Sequence, residues 1–459
     1  MTRKGKHNNT DKNAHRELPD FLWEEEHNID WRGYVLSSFK NRYIFIKRIG
    51  YGSYSSVWMV HKLNKLNAPN TSAPSFYAIK VHHTTDVDEG VKEGKLYRKF
   101  KELSIPNILS PVDEFIITRK VDDQTLKHVC VVMDLMACSV YDLLTDGDYT
   151  TGLPFDSVVS ITKQILLTLA DLHTHGIIHT DIKPENILVN GETQSTAELI
   201  TVISRKTHIN GMQKHIEKHI DIPEDSSDDA SFSEGTQSDE SDESDGSDES
   251  IESGKQLDDM LSLLSVSSEE TESDDDAEAE PTGIKVKINE EYINKPIVKL
   301  ADMGTCLTSD DKKRKHIQTR HYKSPEVILR LGYDTKSDMW ALGCTVYEML
   351  TGEVLFNPND HFTHRTHYQL QLTIQKLGRL PNNMIEKSSH RELYFDGNGA
   401  LKNHTHIHYD DTWDTLFNNM KTNDTKKNQM LDLIFKLLKY DPVDRLDAKS
   451  ALSHPLFAM

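Results

Sequence analysis

A long tract of serine and acidic residues in the middle of the chain cannot take part in a packed core. Residues 221–281 contain 24 of the 73 acidic residues but only one basic residue, Lys255, and residues 238–250 read SDESDESDGSDES. Such a composition buries too little apolar surface to offset the entropy that is lost when a chain is ordered. We therefore predict a disordered insert over residues 191–295. Any folded domain must then be built from the sequence on either side of it.

Outside this tract, the composition is typical of a soluble intracellular protein. The net charge is −20, but almost all of the excess lies in the tract, so the remainder is nearly neutral. The four cysteines are far apart and form no C-x-x-C pair, which favours a reducing compartment. The N-terminus lacks the apolar core of a secretory signal, and no run approaches the roughly 18 apolar residues of a membrane span. We expect a monomer that binds neither membranes nor, directly, nucleic acid.

The hydrophobic pattern changes its period along the chain. Runs rich in β-branched and aromatic residues, separated by Gly, Asn and Pro, predict five strands. From residue 154 to 176 the apolar residues recur at helical spacing, with Pro154 at the start and Gly176 just past the end. The predicted strands are 43–50, 55–63, 76–82, 113–120 and 128–135, and the predicted helices are 86–100, 154–176, 335–351, 427–440 and 447–453.

These patterns predict an α+β fold with two lobes. The five-stranded sheet and one helix would form the first lobe, and the second lobe would be mainly α. The insert would interrupt a loop of the second lobe. The predicted boundaries are an N-terminal extension over 1–40, a first lobe over 41–136, and a second lobe in two parts, 137–190 and 296–459.

The segment HTDIKPEN (179–186) places a carboxylate, an ammonium group and a carboxamide close together after an apolar pair. Phosphoryl transfer uses this set of groups. Asp181 would take the proton of a hydroxyl group, Lys183 would lie near the γ-phosphate, and Asn186 would offer an amide oxygen to a metal ion. A polar loop after a helix would explain the segment alone, but the rest of the chain supplies the other parts in order.

A glycine-rich hairpin, GYGSYSSV (50–57), joins the first two predicted strands. Its glycines would let backbone N–H groups approach a phosphate, and Val57 would cover a base. Such a loop alone is more often an ordinary turn, and Ser55 stands where a third glycine is expected. Lys80 on the third strand strengthens the nucleotide interpretation, because a lysine inside an apolar strand is unusual as a mere surface residue.

Two acidic residues complete the predicted site. Glu93 is followed one helical turn later by Tyr97 and is the preferred partner of Lys80, whereas Glu89 is the competitor. Either could instead lie on a solvated helix face. Asp302 follows a strand at 297–300 and could bind Mg²⁺ together with Asn186.

Motifs further along the chain support the functional interpretation of these residues. The segment TRHYKSPE (319–326) follows Asp302 at the length of an activation segment. Asp338 lies in a helix that would brace the catalytic loop. Arg445 could pair with a buried Glu326.

With every motif in order, residues 41–190 and 296–457 resemble a eukaryotic protein kinase. The resemblance implies the bilobal kinase fold, ATP and Mg²⁺ as cofactors, and a protein substrate. It implies Asp181 and Lys183 as catalytic residues and Asn186 and Asp302 as metal ligands. The implied ATP-binding residues are Ile49, Gly50, Tyr51, Gly52, Ser53, Val57, Ala78, Lys80, Glu93 and the hinge residues Asp134 and Met136.

Within that family, the chain is similar to the SR-protein kinases of the CMGC group. It shares with them Thr180 in place of arginine before the base, the stretch IQTRHYKSPE (317–326), and a large insert after the catalytic loop. LAMMER dual-specificity kinases share HTD (179–181) and TRHY (319–322) but lack such an insert, and YQLQLTIQKLG (368–378) does not resemble their signature. The similarity implies a basic, Arg/Ser-rich substrate.

Two departures from the SR-kinase pattern bear on function. Met303 replaces Phe or Leu in the metal-binding turn and, being apolar and flexible, should still pack against the first-lobe helix. The segment that corresponds to the acidic docking groove, 361–377, contains no acid, although Glu353 remains at one groove position. Such a groove gives no support to processive handling of long Arg-Ser repeats.

The expected function is therefore a serine/threonine kinase that acts on a basic protein. The alternatives are a LAMMER-type dual-specificity kinase, or a kinase-fold scaffold that binds basic partners through its acidic insert. Activity should not need phosphorylation of the activation segment, because Thr180 carries no cation that could bind a phosphate.

Two segments bear on where the enzyme acts. The spacing of Leu257, Leu261, Leu264 and Val266 resembles a leucine-rich nuclear export signal, although a short helix that docks on the kinase itself would fit equally. The basic run 312–315 is either an import signal or a solvated loop. We expect a cytoplasmic enzyme with nuclear shuttling.

Overall fold

The computed structural model resolves two compact units. The sheet unit comprises Met1–Val87, Val112–Asp134 and Ala197–Ala277, and the helical unit comprises Asp88–Pro111, Leu135–Thr196 and Glu278–Met459. The residues that the structure describes are 35–37, 42–52, 54–63, 75–121, 124–203, 286–308, 316–358, 365–402 and 412–458.

The sheet unit is built on one six-stranded sheet with the order β1-β2-β3-β4-β6-β5. Its successive pairs from β1 to β4, and the pair β4 with β6, are antiparallel. The five predicted strands correspond to β2–β6, and β1 adds a sixth strand inside the segment that was predicted as an extension. The strands are β1 (Val35–Ser37), β2 (Arg42–Gly52), β3 (Ser55–Leu63), β4 (Ser75–His82), β5 (Pro111–Val121) and β6 (Gln124–Asp134).

Strand alternation divides the side chains of this sheet between two faces. One face forms an apolar core, in which the Tyr43 ring stacks on Phe115 with centroids 6.2 Å apart and its hydroxyl donates to Asp113 at 2.9 Å. Side chains one position away, such as Lys80, lie on the opposite face. The buried core residues are Tyr43, Phe45, Trp58, Val60, Ile79, Val81, Cys130 and Val132.

The helical unit contains a small sheet and most of the helices. Asp88–Pro111, and with it nearly all of helix α1, groups with this unit rather than with the sheet unit. The strands are β7 (Cys138–Ser139), β8 (Ile187–Val189) and β9 (Val298–Leu300). The helices of the described residues are α1 (Val87–Glu102), α2 (Val140–Thr145), α3 (Phe155–Thr174), α4 (Gln194–Ile203), α5 (Glu290–Asn294), α6 (Pro325–Ile328), α7 (Lys336–Thr351), α8 (Arg365–Leu377), α9 (Asn382–Lys387), α10 (Arg391–Tyr394), α11 (Thr412–Asn419), α12 (Asp424–Leu437) and α13 (Ala448–Leu452). None of these helices combines the length and the apolar character that a membrane crossing needs.

Two buried helices place the loops that carry the predicted chemistry. Helix α3 ends at Thr174, where Gly176 adopts φ +67° and lets the chain turn back towards residues 179–186. Helix α7 is buried along nearly its whole length and presents Asp338 to that loop. Strands β8 and β9 pair antiparallel, so the segments before β8 and after β9 lie side by side.

The ends of the predicted disordered insert are part of the fold, which corrects its boundaries. An isolated bridge joins Thr193 to Ile288, and the N–H of Gln194 donates to the carbonyl of Lys287 at 2.8 Å. Helix α4 buries Leu199, and α5 buries Ile293. The prediction of disorder was wrong for these two helices because it rested on the acidic composition of the whole segment. The predicted disorder over 204–285, the export-like leucines and the basic run 312–315 lie outside the described residues.

These contacts predict how the protein tolerates deletions of the insert. Joining residue 206 to 284 through a short Gly-Ser linker should change the melting temperature by less than about 2 °C, because the bridged ends stay in place. Deleting 200–290 instead removes Ile288 and part of α4, and should lower it by several degrees. Thermal unfolding of the two deletions and the full chain compares them; equal loss in both would show that the central part also supports the core.

Candidate active site

The loop that contains Asp181 is stabilised by hydrogen bonds to one buried carboxylate, that of Asp338. Asp338 is fully buried and accepts the N–H of His179 at 2.8 Å and the N–H of Thr180 at 2.9 Å. His173 also bonds to it, at 2.9 Å. Thr180 has φ +72°, a conformation that is costly for a β-branched residue and that persists only where surrounding contacts enforce it. Asp338 therefore braces the backbone directly before Asp181, as predicted.

The carboxylate of Asp181 is fixed in direction by three side chains. Its Oδ1 accepts the hydroxyl of Thr319 at 2.7 Å and the N–H of Thr319 at 3.2 Å. Its Oδ2 faces the ammonium of Lys183 and the amide of Asn186, each at 3.0 Å. Lys183 also donates to the Thr319 hydroxyl at 3.0 Å. Asp181 and Lys183 thus lie in one polar cluster with Thr319.

The charge of Lys183 is secured by its neighbours. Burial lowers the pKa of its ammonium group, but Asp181 and Glu185 outweigh that effect and raise the pKa above its ordinary value. Lys183 therefore remains a cation at neutral pH. A cation beside the base is suited to a reaction in which negative charge shifts between oxygens.

The two predicted metal ligands are placed by paired strands. Asn186 directs its Nδ2 to Asp181, which leaves Oδ1 as the atom for a cation. Its carbonyl accepts the N–H of Ala301 at 2.9 Å, so Asp302 follows directly in the neighbouring chain segment. Asp302 has φ +59°, a conformation that aspartate tolerates better than most residues. One carboxylate and one amide oxygen suit a hard divalent ion that takes its remaining ligands from phosphate and water.

Helix α1 presents Glu93 to the turn that carries Asp302, the predicted metal-binding turn. Glu93 is fully buried and accepts the Tyr97 hydroxyl at 3.3 Å. A Cβ built on Gly304 would lie 3.4 Å from Glu93 Oε2, so this carboxylate sits against the turn. Burial, together with the charges of Glu93 and Asp302, raises the pKa of Tyr97 well above its ordinary value. Glu89, the other candidate, is half-buried. That Glu93 is the partner of Lys80 stays a prediction.

Three of the predicted nucleotide-binding residues of the sheet unit, Val57, Ala78 and Lys80, share one face of the sheet. Val57 is the strand partner of both Gly50 and Lys80, and Ala78 is the partner of Met133, so their side chains lie on the face opposite the apolar core.

The other predicted nucleotide-binding residues differ in how far the structure describes them. Ile49 is 46% exposed on β2, Asp134 is exposed at the end of β6, and Met136 is half-buried. Tyr51 and Gly52 are described by their backbone pairing with β3. Ser53 lies outside the described residues. The roles of these residues in binding ATP stay predictions.

Several residues of this site were not recognised in the sequence as parts of it. Gln318 donates to Ser337 O at 2.8 Å and accepts the N–H and hydroxyl of Ser324, which ties the activation segment to the start of α7. Thr319 was identified only as part of the predicted activation segment. The segment 317–326 was recognised, but no local pattern shows which of its side chains turn towards Asp181.

The comparison with known proteins agrees with this geometry. The sequence profile of the protein kinase domain matches residues 43–202 and 287–457, well over half of the chain. The chain belongs to the protein kinase family. The serine/threonine-protein kinase SRPK of Physarum polycephalum is 27% identical over 92% of this chain and 87% of its own length. The dual specificity protein kinase lkh1 of Schizosaccharomyces pombe is 25% identical over 92% of this chain and 47% of its own length.

The human dual specificity protein kinase CLK1 is 25% identical over 72% of this chain and 50% of its own length. The predicted protein kinase fold and the predicted SR-protein-kinase-like affiliation are therefore confirmed. The kinase is an ATP-dependent serine/threonine or dual-specificity enzyme of the type that these relatives represent.

Proposed function

We propose that this kinase transfers the γ-phosphate of Mg-ATP to serine and threonine hydroxyls of a basic protein. The observation that carries the proposal is the convergence of Thr319, Lys183 and Asn186 on the carboxylate of Asp181. When bound, Mg-ATP supplies the transferable phosphoryl group and neutralises the charge that develops on its oxygens. Asn186 and Asp302 would hold the metal ion.

The chain's own residues account for the remaining steps. Asp181, fixed by Thr319, accepts the proton of the incoming hydroxyl group. Lys183, which stays protonated, faces the oxygen that acquires negative charge. Lys80, with Glu93 as its predicted partner, would orient the phosphates. Positioning and electrostatic stabilisation of this kind account for most of the rate in phosphoryl transfer.

Two carboxylates that interact with each other, those of Glu185 and Glu348, support a basic substrate. Glu348 is 4% exposed and accepts the Tyr322 hydroxyl at 2.7 Å. Glu185 follows Lys183 by two residues, and its buried Oε2 has no hydrogen-bond partner among the residues that the structure describes. Burial raises the pKa of Glu348 to about 7, and the charge of Glu185 adds to that effect. Burial also raises the pKa of Glu185, although the nearby Lys183 opposes that effect. Two carboxylates whose ionised forms are penalised by burial are suited to an arginine or lysine of a substrate.

The test is the Michaelis constant for matched serine peptides. Glu185→Gln and Glu348→Gln should each raise KM for an arginine-containing peptide about tenfold, because a bond to a charged group contributes about 1.5–3 kcal/mol. KM for an alanine-substituted peptide should change little. Glu386→Gln, an exposed position on α9, is the matched control.

The pH dependence gives a second readout. Glu348 is neutral below about pH 7 and ionised above it, so KM for the arginine peptide should fall as the pH rises from 6 to 8. Glu348→Gln should remove that change. Two results would contradict the proposal that these glutamates bind a basic side chain of the substrate. One is a wild-type enzyme that prefers the alanine peptide, and the other is an unchanged KM for the arginine peptide in both glutamate variants.

A further inference from the structure

Helix α1 has an intrinsically weak sequence. It contains Gly90 and Gly94, both buried, and each glycine inside a helix costs about 1 kcal/mol relative to alanine. The two glycines flank the turn that carries Glu93. Contacts to the rest of the helical unit must therefore hold this turn in place.

One of these contacts involves the residue directly before Glu93. The ammonium of Lys92 donates to the backbone carbonyl of Cys306 at 3.2 Å, across 214 residues of sequence. Cys306 lies just beyond the metal-binding turn and is fully buried. A hydrogen bond from a charged group is stronger than one between neutral groups.

The segment 305–307, which accepts the hydrogen bond of Lys92, also forms hydrogen bonds with the catalytic loop. The Thr180 hydroxyl donates to Thr305 O at 2.9 Å, and the Thr305 hydroxyl donates in return to His179 O at 3.2 Å. Leu307 exchanges two backbone hydrogen bonds with Ile178, each 2.9 Å long. The start of the activation segment is thus fixed on one side by the catalytic loop and on the other by α1.

We propose that Lys92 is a positioning residue for phosphoryl transfer, which clamps α1 and Glu93 onto the metal-binding turn without a phosphorylated residue. The inference rests on the proposed kinase activity. Thr180 provides no cation for a phosphate, whereas Lys92 donates to a backbone carbonyl of the same chain segment. These contacts are made by backbone carbonyls, hydroxyls and an ammonium group, so they are present in the unmodified chain.

The test compares Lys92→Met, Lys92→Gln and Lys92→Arg in the full-length, phosphatase-treated enzyme. Lys92→Met and Lys92→Gln should lower kcat about tenfold, which corresponds to about 1.4 kcal/mol, and leave KM for the protein substrate within about twofold. Lys92→Arg should restore kcat to within about twofold. Lys95→Met, on an exposed position of the same helix, should behave like the wild type.

Melting temperatures of the same samples distinguish a positioning role of Lys92 from a contribution to the stability of the fold. If Lys92 had a purely structural role, Lys92→Met and Lys92→Gln would lower the melting temperature but leave kcat per folded molecule unchanged, and Lys92→Arg would restore no kcat. That result would overturn the inference. So would a wild-type enzyme that loses most of its activity on phosphatase treatment. An inactive wild type would refute the proposed function and this inference with it, whereas active Lys92→Met would refute the inference alone.

Discussion

Replacing Asp181 with asparagine should lower kcat by about 10²–10⁴ while leaving the affinity for ATP nearly unchanged. The asparagine oxygen can still accept the hydrogen bonds of Thr319, so the loop should keep its shape. The amide cannot take the proton of the incoming hydroxyl. The change therefore removes the base, and with it the Oδ2 atom that accepts from Lys183 and Asn186.

Two measurements on purified protein check this expectation. Steady-state transfer to a serine peptide gives kcat, and calorimetric titration with an ATP analogue gives the dissociation constant. Asp171→Asn, at an exposed position on α3, is the matched control and should keep both values. An Asp181→Asn enzyme with wild-type kcat would remove Asp181 from the role of base.

Replacing Arg445 with methionine should reduce the free energy of unfolding by about 3–5 kcal/mol, because it leaves a charge buried without its partner. Arg445 and Glu326 are each about 1% exposed and are joined by two hydrogen bonds of 2.7 and 2.8 Å. The guanidinium also donates to three backbone carbonyls, those of Lys336, Lys439 and Tyr440. All of these acceptors would lose a donor at once.

Urea denaturation of single and double variants isolates the cause. The double variant Glu326→Leu with Arg445→Met removes both charges and should be less destabilised than the sum of the single variants. Lys436→Met, which breaks an exposed pair with Asp432, should cost less than about 1 kcal/mol. A loss that small for Arg445→Met would mean that the buried pair does not stabilise the helical unit.

Periodicity made much of the fold predictable. Strands β2–β6 alternate and helix α3 repeats every three to four residues, so each appeared within a few residues of its predicted bounds. The motif around Asp181 was recognisable because its three functional residues are local in sequence. Arg445 and Glu326 are 119 residues apart, yet their pairing was also predicted, from motif resemblance rather than from local pattern.

Other features depend on contacts that no local pattern encodes. Strand β1 has three residues and exists only because it pairs with β2. The bridge between Thr193 and Ile288 joins the two ends of an acidic segment whose average composition predicts disorder. The left-handed backbone of Thr180 and the bond from Lys92 to Cys306 likewise arise from tertiary packing. The last two of these features lie directly beside residues of the candidate active site.

The central claim is that the carboxylate of Asp181 serves transfer to aliphatic hydroxyls of a basic protein. The most direct measurement incubates the wild-type and Asp181→Asn enzymes with Mg-ATP and a mixture of arginine-containing peptides that offer serine, threonine or tyrosine, and identifies the products by mass spectrometry. We predict phosphoserine and phosphothreonine with the wild-type enzyme and neither above background with the variant. Equal phosphotyrosine formation would indicate a dual-specificity enzyme, and products that persist in the Asp181→Asn sample would contradict the proposed chemistry.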